Sequence, residues 1–191
     1  ADSIRKYIAV GNDSYLIPSN PATVENSNLR GITDGAKFII ITHKNFLEAA
    51  NSLKLYRETQ APVTISTYVV DVDQIYNEFS YGLMNPTSLN SFAKYAYENW
   101  QSPAPQYIAL MGDMSYDYRN ILPESRPNFI PSPSYHATIY GQAPSDNAIV
   151  TVSGNDIIPD IALGRISCET MEEADILVDK IVNYPADVNK E

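Results

Sequence analysis

Cysteine is nearly missing from this chain. Cys168 is the one thiol in 191 residues, so no intrachain disulfide can form and a disulfide scaffold is excluded. Histidine is almost as scarce, with only His43 and His136, which leaves little for a transition-metal site built on imidazole and thiolate. Basic residues are outnumbered, 13 Lys and Arg against 23 Asp and Glu, for a net charge of −10. That balance argues against a nucleic-acid or anionic-membrane partner. No apolar run approaches the ~20 residues of a membrane-spanning helix. The phosphate-cradling patterns GxGxxG and GxxxxGK[ST] are absent, so dinucleotide-binding and P-loop roles fall away. The opening ADSIRKY carries no signal-peptide pattern, and the ending NYPADVNKE leaves a helical pattern for polar residues, as a linker does. Both are expected of a piece of a longer protein.

What is present is the signature of a globular α/β domain. Hydrophobic residues make up 44% of the chain, enough for a packed core, and the length suits about one domain. RKYIAV (5–10) reads as a strand before a polar, Asn- and Ser-rich lead-in. KFIIIT (37–42) is a continuous β-branched run, expected of a strand buried on both faces. VTISTYVV (63–70), QYIALMG (106–112) and DIALGRIS (160–167) read as three more strands. Between them lie helical patterns at 46–58, at 72–82 with Gly82 able to cap it, and from Asn85-Pro86 to Trp100, where proline suits the first turn. Thr170 with Glu173 forms a capping box that opens a last helix, with Ala174, Leu177, Val178 and Ile181 inward. Alternating strands and helices predict a mainly parallel four-stranded sheet flanked by helices. Ligands of such sheets collect beyond the carboxyl ends of the strands, where Gly112-Asp113 falls. The Pro- and Tyr-rich stretch 114–148 is too long for a plain connection and reads as functional or lid-like.

Several chemistries can be weighed from residue types. GDMSYD (112–117) with GND (154–156) faintly resembles metallophosphoesterases, but their two-metal sites need several histidines, and Asp156 stands where that motif wants one. Cys168 near a helix N-terminus could have a lowered pKa, yet nothing in the sequence places either histidine beside it as a base. His43 at a strand end reads as a structural hydrogen bonder, and His136 lies in the Pro/Tyr-rich stretch. No GxSxG elbow is present. The acidic set remains. Asp113, Asp156 and Asp160 could serve a hard cation such as Ca²⁺, which takes six to eight oxygens from carboxylates and carbonyls. The alternative is that Asp156 is a turn residue in SGND and Asp160 a strand cap. Asp117 and Asp146 are acidic candidates of lower rank.

The segments DGAKFIIITHKNF, QIYNEFSYG, YIALMGDMSYDYRN and IPDIALGRISCETMEEADILVDKIVNY resemble the gingipain-type cysteine peptidases, peptidase family C25, from about Asp34 to Tyr184. The wording is similar to long members connected with type IX secretion. The resemblance implies a caspase/gingipain-like three-layer α/β subdomain over 34–185. Residues 1–33 would be a lead-in from a preceding β-domain or linker, and 186–191 the start of a linker to a second, catalytic subdomain. Family members carry their catalytic histidine and cysteine in that second subdomain, so the expectation is a non-catalytic first part of a secreted or cell-surface endopeptidase. Its partner would be the catalytic subdomain of the same protein, with peptide or protein substrates reached only through the whole enzyme. The alternative is a non-enzymatic C25-like module for secretion or surface binding. The resemblance further implies a structural Ca²⁺ held by Asp113, the Gly154 carbonyl, Asp156, the Ile158 carbonyl and Asp160. Asp160 replaces a glutamate there and is one methylene shorter.

Overall fold

The segment FIIIT forms β1 (Phe38–Thr42), and all five of its residues are buried. It lies inside a four-stranded sheet, which is why an unbroken apolar run suits it. The computed structural model describes Gly11 and residues 20–118, 120–139 and 141–184. The expected strand at 5–10 and the linker at 186–191 lie outside those residues.

The sheet contains β2 (Thr67–Asp71), β1, β3 (Tyr107–Met111) and β6 (Ala162–Ile166), in that order and all parallel. Burial follows position. The inner strand β3 is buried from Ile108 onward, whereas the outer strands β2 and β6 keep partly exposed positions. The second strand is shorter than its sequence suggests and begins at Thr67 rather than Val63. Residues 60–66 instead fold back on the preceding helix, where the Ile65 amide donates to the Arg57 carbonyl (2.9 Å) and the Thr67 amide to Glu58 Oε1 (3.0 Å).

The expected helices are present. α1 (Leu47–Thr59) and α5 (Met171–Val182) pack against each other. α2 (Val72–Phe79), α3 (Pro86–Asn99) and the short α4 (Asn147–Val150) form a second packed group. Right-handed crossovers place the two groups on opposite faces of the sheet. Asn85 caps α3 by accepting from the Thr87 amide (3.0 Å), with Pro86 in the first turn. Thr170 accepts from the Glu173 amide (3.2 Å), while the Glu173 carboxylate reaches the Glu169 amide (2.8 Å), one residue before the position a strict capping box uses. α2 ends at Phe79, three residues before Gly82.

The end of the expected lead-in, residues 27–30, packs onto the domain. Leu29 is fully buried in the core, and Glu78 accepts from Ser27 Oγ and from the Leu29 and Arg30 amides (2.5, 2.5 and 3.1 Å). Arg30 lies over the Phe79 ring, 4.2 Å from its centroid. Residues 27–30 are thus tied to α2, and Leu29 to the core.

The long stretch after β3 contains structure that its composition does not announce. A two-stranded antiparallel hairpin, β4 (Ser134–Ala137) and β5 (Gly141–Pro144), precedes α4. Asn90 on α3 fastens that segment by donating to the Ala148, Ile149 and Thr151 carbonyls (2.9, 3.3 and 3.1 Å).

Candidate functional site

In chain order the sheet grows from β1 out to β2 and then returns across β1 to β3. That reversal creates a crevice between the carboxyl ends of β1 and β3, the usual ligand position of such folds. The residues there are His43 after β1 and Gly112-Asp113 after β3. Here the chain itself fills the crevice. The Phe129 and Ile130 amides donate to the Asp113 carbonyl (3.1 and 3.2 Å). The Phe129 ring then packs edge-on against Phe46 (4.8 Å between centroids) and His43 (5.2 Å). Gly112, at φ +140°, allows this approach, because a Cβ there would stand 2.9 Å from the Phe129 Cβ.

His43 has a structural role. Its Nδ1 accepts from the Asn45 amide (3.2 Å), and burial lowers its pKa against the opposing pull of Asp73 and Asp71. A neutral ring with one nitrogen already used is suited to capping a turn. His136 sits in β4 opposite Gln142.

Cys168 lies just past β6, only 1% exposed, with a free thiol. Its carbonyl accepts from the Asp113 amide (3.0 Å), which extends the β3–β6 ladder. Burial, followed by the charges of Glu173 and Asp113, pushes the thiol up to about 11. A nucleophilic cysteine needs the opposite environment, one that favours thiolate. No histidine bonds to it among the described residues. A cavity of about 400 Å³ opens beside Asp113, Arg126, Cys168, Glu169 and Glu173, and the ion pair Arg126–Glu169 (3.0 Å) lies at its wall.

The carboxylates assigned to calcium do not converge. Asp113 follows the carboxyl end of β3, whereas Asp160 precedes the amino end of β6. Tyr107 is the register partner of Ala162, and Asp113 stands six residues farther along, a rise of about 20 Å at ~3.3 Å per residue. Parallel pairing therefore holds Asp113 and Asp160 at opposite edges of the sheet. The signal was present in the sequence, since one aspartate ends a strand and the other begins one. Each carboxylate also has other work. Asp113 Oδ1 accepts from the Met114 amide (2.9 Å), Asp156 Oδ1 from the Ile158 amide (2.9 Å), and Asp160 Oδ2 from the Val152 and Ser153 amides (both 2.8 Å).

Gly154, at φ +73°, turns the chain beside Asp156. The isoleucines of GNDIIPD are exposed, Ile157 at 91% and Ile158 at 67%. They sit in an irregular turn outside the sheet, where no strand alternation drives them inward. Among the described residues no three Asp, Glu, His or Cys side chains come close enough to share an ion. The five-residue set therefore does not fit calcium as arranged. Asp156 and Asp160 act here as a turn former and a loop clamp.

One polar cluster has no signature in the sequence. Arg165, its side chain 11% exposed, lies in β6 and reaches across to the 112–150 segment. Its Nε donates to Asp146 Oδ2 (2.9 Å) and its Nη2 to Asp146 Oδ1 (2.7 Å) and Ser132 Oγ (3.0 Å). Its Nη1 serves the Gly112 and Ile130 carbonyls (2.8 and 2.9 Å). Ser132 Oγ also donates to Asp146. Burial alone would raise the Asp146 carboxyl, but the hydrogen bonds from Arg165 and Ser132, with the guanidinium charge, hold it below the ordinary range. Arginine alternating with apolar residues in ALGRI looks like an exposed strand position, so only the fold reveals it as a bidentate anchor. The serine–aspartate pair gave no sequence signal beyond the low rank of Asp146.

A family model described as peptidase family C25 matches residues 32–191. The chain belongs to peptidase family C25. Among solved structures it is similar to dimeric latent PorU from Porphyromonas gingivalis, with TM-score 0.68 and 26% identity over 84% of this chain and 16% of that one. It is also similar to the complex of Porphyromonas gingivalis RgpB pro- and mature domains, with TM-score 0.57 and 19% identity over 81% of this chain and 30% of that one; that likeness shows the fold alone. An uncharacterized protein of Archaeoglobus fulgidus is 25% identical over 158 residues, covering 82% of this chain and 37% of the relative. The C25 chain thus spans well under half of the proteins it matches. The gingipain-type α/β architecture expected from the sequence is present, with its four parallel strands between helices. No described helix is long and apolar enough to cross a membrane.

Proposed function

We propose that this C25 chain is the non-catalytic first portion of a cysteine endopeptidase that works outside the cell or at its surface, with proteolysis performed by the whole protein. The observation that carries the reading is the state of its one thiol. Cys168 is sealed in the core, its pKa is pushed up to about 11, and no imidazole bonds to it among the described residues. The plugged crevice supports the same reading, because Phe129 and Phe46 occupy the space where a substrate would enter. The matched region covers only 16% and 30% of these solved relatives, which leaves room for a catalytic histidine and cysteine elsewhere. This portion then braces the catalytic one and contributes a rigid sheet.

The test is hydrolysis of peptide substrates by the 191-residue chain, by the full-length protein and by full-length Cys168→Ala. The expected result is no turnover by the 191-residue chain, turnover by the full-length protein, and turnover retained in Cys168→Ala. Activity of the 191-residue chain that vanishes with Cys168 would overturn the reading. A folded but silent full-length protein would favour a non-enzymatic C25 module instead.

A further inference from the structure

The outer strand β6 leaves one side of the sheet uncovered. Residues that share a register position share a face, so Phe38, Tyr107 and Ala162 form one row, and Gly164 and Ile166 continue it along the strand. Ala162 and Gly164 are exposed, and a Cβ added at Gly164 would meet nothing within 4 Å. Tyr107 is 47% exposed beside them. A groove of about 700 Å³ between α1 and α5 reaches this row at Ile166 and is walled by Tyr56, Leu177 and Ile181. A second cavity of about 300 Å³, floored by Phe38 and Tyr107, meets it at Arg57. An unpaired strand edge beside an apolar groove is a surface that proteins ordinarily cover.

The charges on this surface indicate what covers it. In a chain of net charge −10, every charged residue lining the larger groove is basic: Arg57, Lys180 and Arg165. Arg165 is neutralised by Asp146. Lys180 is exposed, also borders the cavity of Asp113, Glu169 and Glu173, and makes no ion pair among the described residues. The Arg57 Nε is buried with no hydrogen-bond partner, and an unmet buried donor is costly to leave unpaired. A carboxylate is the natural acceptor for a guanidinium and a nearby ammonium.

We propose that the shelf formed by β6, α1 and α5 receives a carboxylate-bearing polypeptide segment from the remainder of the same protein. Its acidic group pairs with Arg57 and Lys180, and its apolar side chains cover Tyr56, Leu177 and Ile181. The small floor residues let its backbone approach closely at Gly164. The proposal rests on the reading of this chain as one portion of a longer peptidase and names the surface that joins the portions.

The experiment uses the full-length protein. Lysine acetylation kinetics are read by mass spectrometry, followed by carbodiimide cross-linking, which joins an amine to a carboxylate in direct contact. The expected result is that Lys180 reacts more slowly than Lys94, an exposed lysine on α3, by roughly tenfold, the ratio that about 1.4 kcal/mol sustains. Lys180 should cross-link to an Asp or Glu outside residues 1–191, and Gly164→Leu or Arg57→Glu should restore its reactivity. Lys180 reacting as fast as Lys94, or cross-linking only within residues 1–191, overturns the proposal. Loss of peptidase activity in the wild-type full-length protein would count against the functional reading and leave this contact standing, so the two failures are distinguishable.

Discussion

The centre of the sheet and the excursion from Gly112 to Ile161 share one apolar core but differ in how much they depend on polar anchors. β1 and β3 bury Ile39, Ile40, Ile41, Ile108 and Leu110 on both faces, so their stability is spread over many small contacts that back one another up. The excursion wraps the carboxyl edge with irregular chain and short elements, and a few polar anchors fasten it: Arg165 to Asp146, Asn90 to the end of α4, and Asp160 to the Val152 and Ser153 amides. Losing one methyl group at the centre is a local defect. The excursion also buries Phe129, Ile130, Ile149, Val150 and Val152, but losing one anchor loosens the segment around it, because no other group supplies the same bonds. A β-branched run specifies its own burial, whereas an irregular segment must borrow order from a strand that already exists.

The largest expected effect comes from cutting the main anchor. Arg165→Ala leaves the Asp146 carboxylate unpaired, along with the Gly112 and Ile130 carbonyls. Breaking a buried pair costs about 3–5 kcal/mol, and the low end applies here because the Asp146 side chain is 27% exposed. Amide exchange should show the loss at Ile130 and Ile149 first, with Ile39–Ile41 keeping their protection. Equal loss in both regions would show that the excursion does not depend on this anchor more than the sheet does.

A smaller loss is expected from Asp160→Ala. The Val152 amide, on a residue only 4% exposed, would lose its acceptor, at a cost of about 1–3 kcal/mol. Since the clamp works through hydrogen bonds, the fall in melting temperature should be the same in millimolar calcium and in EDTA. A calcium-dependent melting temperature in the wild type that Asp160→Ala abolishes would restore the metal reading for the loop.

The smallest effect is a pH dependence of the excursion alone. The folded pKa of Asp146 lies below its unfolded value. Its contribution is therefore whole above the ordinary carboxylate range, about pH 4, and is lost as the pH falls through the depressed value. Exchange protection at Ile130 should decline in that window before protection at Ile40 does. Simultaneous loss would show that the two regions unfold as one unit.

The sequence by itself determined the sheet's inner strands, the helices and the family. FIIIT and YIALM are apolar without interruption, Asn85-Pro86 and Thr170 mark helix starts, and these signals operate over a few residues through burial and capping. β2 starts later than its pattern suggests because Val63 to Ile65 are as β-branched as a strand, yet α1 claims the Ile65 amide. The hairpin β4–β5 and the burial of Leu29 carried no local signal. Tertiary structure alone decided which distant groups meet. Parallel register sends Asp113 and Asp160 to opposite edges, brings Arg165 to Asp146, and leaves Ile157 in water. Those outcomes depend on strand order and pairing, which are set by contacts between residues far apart in the chain, and no short stretch such as GNDIIPD contains them.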